Sequence, residues 1–438
     1  MEYQEQWGEL TELSDSEVET EVTEPQAQAL APLAQVLPLA PLLANKRKAA
    51  PDGQSYNNKK RAIVRKAKIQ ESPSNALSAC AIEQAIKPSQ PTSVPIHTHK
   101  LDAAYSAHTG KLGTKKMGSL KEREAEYDVD DLVKKGFDHV KWNRVTPMPI
   151  VEAKNQVILC LVGRPNQADY LQDTKVAYQA MMSEGKQAGL VAHNAVCEKK
   201  KRGDFPAFTK GMTMGMGSKT PVLLATDKQC KGMGAILQRL TDTIAFKRIL
   251  QYQNAAFKLW GLRLYTRYKA TADFVYNHPK LSHIPRNFSD DNIFAAAAFN
   301  FGGKVCTFKH WDHLNWAFGW CAITALGYFV HTKSACLILW ELKLVIDFPS
   351  SSTVLIPSAV ITHSNTRIAE GDERTSFTQY TASAIFRWAD NGGMTEGELW
   401  ETNFEARLEL AAQKSTVSSE RIQLYSTLEE LLVQVPGN

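Results

Sequence analysis

The change of pattern at Pro279 constrains the fold of this chain more than any other feature. Before it, residues 232–278 carry apolar side chains at helical spacing with few breakers. These are Ile236, Leu237 and Leu240, then Ile244, Phe246, Ile249 and Leu250, then Phe257, Trp260 and Leu264. Recurrence every three or four residues gives a helix one apolar face. Beyond Pro279 come short β-rich runs parted by Gly, Pro and Ser: Val305–His310, Cys321–Phe329, Cys336–Phe348, Thr353–Thr362 and Thr375–Trp388. Repeated short strands with turn residues between them read as a sandwich or a partly open barrel. An earlier buried strand is expected at Gln156–Val162, stopped by Gly163-Arg164-Pro165, with a helix around Leu171–Ser183. The fold class expected is α+β, with helical support over 165–280 and a β core over 295–390. A helical extension follows over 396–438, carried by Leu408, Leu410, Leu424, Leu428, Leu431 and Leu432.

The chain has 438 residues, enough for two domains or for one large domain with long tails. Residues 1–125 read as a disordered tail, because they are rich in Ala, Pro, Ser, Gln and Lys and lack sustained periodicity. Order is expected from about Tyr127. The mild net charge of +5 conceals an asymmetry within this tail. Residues 1–24 hold nine acidic side chains and no Lys or Arg, whereas residues 45–68 hold nine basic ones against the single acid Asp52. Lys46-Arg47-Lys48 and Lys59-Lys60-Arg61 stand ten residues apart, the spacing of a bipartite nuclear import signal, so a nuclear location is expected. A basic tail that touches nucleic acid is the plainer alternative. Seven dispersed Cys without a Cys-x-x-Cys pair argue for reduced thiols in an intracellular protein. The acidic first residues are no secretory signal. The apolar stretch 25–44 is broken by Pro25, Pro32, Pro38 and Pro41, which excludes a membrane helix.

One constellation carries chemistry. His310 and Asp312 form a His-x-Asp pair, His363 follows 51 residues after Asp312, and Arg374 comes 11 residues later. Two imidazoles and a carboxylate leave several positions of a non-haem Fe(II) ion open for oxygen and co-substrate. Residues two apart on a strand share a face, so His310 with Asp312, and Arg374 with Ser376, can point into one barrel lumen. Arg374 suits a two-pronged, charge-assisted clamp on a carboxylate, and Ser376 adds a hydroxyl donor. Spacing alone leaves other readings open. His313 and His331 lie close by, and all of these residues can be ordinary polar side chains.

The surrounding motifs narrow the choice. Phe299-Asn300-Phe301-Gly302, His310-Trp311-Asp312-His313-Leu314-Asn315 and Gly319–Gly327 resemble a known family. So do Phe348-Pro349, Leu355-Ile356-Pro357-Ser358-Ala359, His363-Ser364-Asn365, Glu373–Tyr380 and Phe386-Arg387-Trp388. Together they look like the fungal, basidiomycete TET/JBP-like dioxygenases, which often travel with transposons. The resemblance spans roughly residues 137–395 and includes Gly163-Arg164-Pro165 and the Gly211–Gly217 loop. It implies a double-stranded β-helix, or jelly roll, with flanking helices. It implies Fe(II) as cofactor, held by His310, Asp312 and His363, and 2-oxoglutarate as co-substrate, held by Arg374 and Ser376. Asn300 and Asn315 fall in motifs near the site, without assigned contacts. The activity implied is hydroxylation by O2 of a base methyl group, 5-methylcytosine or thymine, flipped out of DNA.

The sequence departs from that pattern at two turns. Ser334-Ala335 stands where a Gly pair is expected, and Ser350-Ser351 where Pro-Gly is expected. Losing Gly there costs about 1 kcal/mol each if φ is positive. Gly211–Thr220 imitates a phosphate loop but has Ser218, not Gly, before Lys219, and Pro221 then stands where a helix should start. A flexible loop near the active site is expected instead. Lys199-Lys200-Lys201-Arg202 reads equally as a track for a phosphate backbone and as a solvated loop. Trp311, Trp316, Phe318 and Trp320 crowd the His-x-Asp motif, either as core or, in part, as a stacking platform for an extruded base. Two rival functions stay in view: an oxygenase acting on a protein or small molecule, and a decayed, transposon-derived nucleic-acid binder.

Overall fold

The computed structural model describes residues 82–98, 119–190 and 202–433, together with 101, 103 and 108–110, and with gaps at 216, 287, 403–404, 406–407 and 409–419. The acidic head, the Pro/Ala linker and both basic clusters of the import motif lie outside the described residues.

Among the described residues thirteen strands form two sheets. In chain order the strands are β1 (Thr92–Ser93), β2 (Asp138–Val140), β3 (Met148–Val151), β4 (Val157–Gly163), β5 (Ala207–Thr213), β6 (Val222–Leu223) and β7 (Ala296–Asn300). They continue with β8 (Cys321–Tyr328), β9 (Leu337–Leu339), β10 (Leu344–Ile346), β11 (Thr353–Ile356), β12 (His363–Asn365) and β13 (Glu373–Tyr380). The larger sheet runs β1-β3-β4-β11-β8-β13-β7-β5-β6, and the smaller runs β12-β9-β10-β2. Pairing is antiparallel except between β1 and β3 and between β10 and β2. One cavity is lined from both sheets, by Asn300, Ile323, Arg374 and Ser376 of the larger and by Leu337, His363 and Asn365 of the smaller. The sheets therefore face one another across it.

The outer face of the larger sheet carries helices. The principal ones are α1 (Ala168–Gln187), α2 (Met233–Asp242), α3 (Ile244–Trp260) and α4 (Leu262–Tyr276). Phe246, Ile249, Leu250, Gln253, Phe257 and Trp260 are the buried stripe of α3. Thr243 caps that helix by accepting from the Phe246 N–H at 3.2 Å. Period-two alternation on β13 fits this layering. Phe377 meets Phe246 at 5.3 Å between ring centres, and Gln379 donates to Gln253, while Arg374, Ser376, Thr378 and Tyr380 turn to the cavity. Gln253 in turn donates to Thr324, whose hydroxyl meets Thr353, so the helix is tied to the sheet through buried polar groups with partners.

Several sequence expectations are corrected. An ordered segment lies upstream of Tyr127: Ile82, Ile86 and Val94 are buried in the main core and β1 joins the larger sheet. The helical layer over 165–280 is interrupted by β5 and β6. Val305–His310 is not a strand but an irregular segment pinned by single bridges, Lys304 to Arg374 and His310 to His363. The run Thr353–Thr362 stops at Ile356, because Pro357 has no N–H for the ladder and a turn follows. The run Thr375–Trp388 is a strand only to Tyr380, and Ser383–Asp390 is helix α5. Ile385 and Trp388, three apart, pack inward on one face of it. Of the C-terminal extension, Glu396–Thr402 (α6) and Leu428–Val433 (α7) are helical within the described residues.

Both altered turns have the backbone that favours glycine, with φ +57° at Ala335 and +69° at Ser351. Ser351 recovers part of the cost, since its hydroxyl meets that of Thr174 on α1 at 2.7 Å. No described helix is long and apolar enough to cross a membrane.

Candidate metal centre

His310, Asp312 and His363 converge, with one ligand atom from each lying within 4.8 Å of the others. They are brought together by backbone pairing. The His310 N–H donates to the His363 carbonyl at 3.0 Å and the His363 N–H returns the bond at 2.8 Å. The Asp312 N–H donates to the Ser358 carbonyl at 2.8 Å, just past the turn that Pro357 starts. His363 sits at the start of β12. His310 and Asp312 do not share a strand as expected, but occupy the extended connection between β7 and β8. Neither of the rival imidazoles, His313 and His331, joins this cluster.

The hydrogen bonding prepares both rings for metal. Nδ1 of His310 lies 2.7 Å from the Phe308 carbonyl, and Nδ1 of His363 lies 3.0 Å from the Ile361 carbonyl. A carbonyl only accepts, so each Nδ1 carries a proton, and in the neutral ring Nε2 is the atom with the lone pair. Burial and the neighbouring His363 push His310 down to about 3, so it is neutral at physiological pH. Burial alone works to raise the Asp312 carboxyl, but Arg202 and the two imidazoles outweigh it and hold it down to about 2. Neutral imidazoles and an ionised carboxylate are the forms that bind a divalent cation. The donor set therefore fits Fe(II), and the two nitrogen and one oxygen donors leave coordination positions open.

A second group faces the same cavity of about 60 Å³, which has room for about four to six waters. Arg374, on β13, is 2% exposed. Its Nη1 donates to the Val305 carbonyl at 2.8 Å, and among the described residues its Nε has no partner and no carboxylate neutralises it. Desolvation pushes its pKa down to about 10. A buried guanidinium with donors to spare is a receptor for an anion. Ser376 lies on the same face and accepts from Asn300 Nδ2 at 2.8 Å, which leaves its hydroxyl proton free to donate to a ligand. Ile323, Leu337 and Phe348 form apolar wall between polar groups.

The remaining sequence candidates fall as follows. Asn300 and Asn315 both line the cavity, and Asn315 donates to Ser358 and Cys321 behind the ligand loop. Arg202 lines the cavity, and its Nη2 lies 2.7 Å from Asp312 Oδ1. Lys199, Lys200 and Lys201 lie outside the described residues. Trp316, Phe318 and Trp320 are core, while Trp311 is only half-buried. Gly211 belongs to β5, and none of the described residues of 211–219 lines the cavity. Sequence reasoning missed Thr378 and Tyr380, which strand alternation from Arg374 and Ser376 would have found. It also missed Phe205 and Thr307, which carried no motif, and Asn365, which stands in the His363-Ser364-Asn365 motif without an assigned role.

No family model matches the chain, and no curated protein does. Among solved structures, NgTET1 in complex with 5mC DNA aligns at 12% identity and a TM-score of 0.35, covering 62% of this chain and 91% of that one. An oxidoreductase of the 2OG-Fe(II) oxygenase family from Burkholderia pseudomallei aligns at 11% identity and a TM-score of 0.23, covering 41% and 70%. Neither similarity is high enough to assign this chain to a family.

Proposed function

We propose that this protein is an Fe(II)- and 2-oxoglutarate-dependent dioxygenase with a double-stranded β-helix core. In this reading it hydroxylates a methyl group on a nucleic-acid base, 5-methylcytosine in DNA, and works in the nucleus. The observation that carries the reading is the pairing of two features in one cavity: a metal-ready His310–Asp312–His363 cluster and a buried, anionless Arg374.

Each residue then has a defined task. His310 and His363 present Nε2, their tautomers fixed by the Phe308 and Ile361 carbonyls. Asp312 supplies the anionic ligand. Arg374 takes the distal carboxylate of 2-oxoglutarate through its spare N–H groups, and Ser376 donates its hydroxyl proton to the same group. The apolar wall of Ile323, Leu337 and Phe348 holds the methylene stem and keeps water from it. Held by His310, Asp312 and His363, Fe(II) would activate O2, one oxygen atom going into succinate as 2-oxoglutarate loses CO2 and the other into the hydroxymethyl group. A methyl inside a duplex reaches the cavity only when its base is extruded.

Purified protein with Fe(II), 2-oxoglutarate and methylated duplex, followed by mass spectrometry, tests this. Formation of 5-hydroxymethylcytosine with succinate is expected. Succinate without base oxidation would move the substrate to a protein or small molecule. DNA binding with no iron-dependent turnover would favour the decayed binder.

A further inference from the structure

The cavity holds a second guanidinium besides Arg374, and the two differ in character. Arg374 is buried and lacks an anion, whereas the Arg202 side chain is 51% exposed and stands 2.7 Å from a ligand oxygen of Asp312. The position of Arg202 is built: its carbonyl accepts from the Phe308 N–H at 2.7 Å, two residues before His310. Asp312 Oδ1 is buried and has no properly formed hydrogen bond, so ion pairing with Arg202 is its main compensation. A divalent cation taking up Asp312 replaces that compensation. It also sets a double positive charge on the carboxylate that Arg202 pairs with, and like charges brought that close repel. Arg202 must then turn its charge elsewhere. Its side chain is half-exposed and can reach a ligand in solvent, whereas Arg374 is buried in the cavity.

We propose that Arg202 is a counter-ion switch: it pairs with Asp312 in the metal-free protein and, on metal binding, is released to hold a backbone phosphate of the nucleic-acid substrate. Metal and nucleic acid therefore bind with positive coupling, and the coupling is reciprocal. This rests on the nucleic-acid reading given above. It makes Arg202 a positioning residue for substrate, and lets the protein grip DNA firmly only when the centre is loaded.

The experiment uses the full chain, Mn(II) as the probe metal and a fluorescent methylated duplex without 2-oxoglutarate. Anisotropy titrations are run with and without saturating Mn(II) on wild type, Arg202→Gln and Arg202→Lys. For wild type, DNA affinity should rise about tenfold with Mn(II), and the plot of log affinity against log salt should steepen by about 0.9, one added phosphate contact. Arg202→Gln should show neither change and should bind Mn(II) several-fold more tightly in the absence of DNA, because a competing cation has gone. Arg202→Lys should keep part of the response. Equal Mn(II) responses in wild type and Arg202→Gln would overturn the switch while leaving the proposed substrate standing. Weaker Mn(II) binding in Arg202→Gln would also overturn it, by making Arg202 a fixed support for Asp312. Failure of wild type to bind DNA in either state would sink the nucleic-acid reading and the switch together.

Discussion

Replacing Arg374 by Met should make the ligand-free protein more stable, although it removes a buried side chain from the middle of a strand. Desolvation has moved the guanidinium from 12.5 to about 10, and at about 1.4 kcal/mol per unit that is a penalty of about 3 kcal/mol. Arg374 is 2% exposed, so solvent screening does not relieve it. The sign follows from linkage: a cation whose folded pKa is lowered costs stability wherever it is charged in both states, and relief begins only as pH rises through 10. At pH 7 the whole penalty applies. Met has similar length and no charge. Its cost is the Val305 carbonyl, which loses its donor, about 1 kcal/mol. The balance is a gain of about 2 kcal/mol, or roughly 2 °C in melting temperature for a protein of this size. The assay is a thermal melt in Mn(II), with and without 2-oxoglutarate. Wild type should gain about 2.7 kcal/mol at a co-substrate concentration of about a hundred times Kd, and Arg374→Met should gain nothing. A variant that melts well below wild type, or that still responds to 2-oxoglutarate, would refute the view of Arg374 as an anion receptor held at a cost.

Further expectations concern the ligands, the pH response and one turn. His310→Ala, Asp312→Ala and His363→Ala should each abolish turnover and lower Mn(II) affinity by at least tenfold in calorimetry while circular dichroism stays unchanged; full activity in His363→Ala would remove it from the ligand set. Because His310 is held down to about 3 against an ordinary 6.5, the unfolded chain takes up a proton that the native one refuses. Metal-free protein should therefore lose stability as pH falls from 6.5 toward 3, by up to about 1.4 kcal/mol per unit from this group, and urea unfolding of His310→Asn should show a shallower slope. Lys343 closes the β9–β10 turn with φ +51° and an exposed side chain, so Lys343→Gly should raise the urea midpoint by an amount equivalent to about 0.5–1 kcal/mol.

Much of the centre was legible in the sequence because it depends on short spacing and strand alternation. Arg374 and Ser376 do share a face of β13, and His363 does lie on a strand. The pairing of His310 with Asp312 was anticipated, but for a different reason from the one at work. They sit in an irregular segment held by His363 and Ser358, and cross-chain backbone bonds of that kind leave no periodic trace. Arg202 illustrates the same gap. In the sequence it is the end of a basic run. The bond from Phe308 to its carbonyl, across more than a hundred residues, fixes its backbone beside the His310 segment, where its side chain reaches Asp312. Helix α5 was read as strand because Ile385, Phe386 and Trp388 suit either structure locally, and packing decides between them. The positive φ at Ala335 and Ser351 was foreseen as a condition, since a turn that accepts Gly commonly needs it.

The most direct measurement of the central claim follows the oxygen atoms. Protein, Fe(II), 2-oxoglutarate and a duplex bearing 5-methylcytosine are incubated under ¹⁸O2, and both products are weighed by mass spectrometry. One ¹⁸O should appear in the new hydroxymethyl group and the other in succinate, in equal yield, and both should vanish in Asp312→Ala. Succinate that carries ¹⁸O while the base stays unmodified would contradict the assigned substrate. No ¹⁸O in either product, from protein shown to hold Fe(II), would contradict the assigned chemistry.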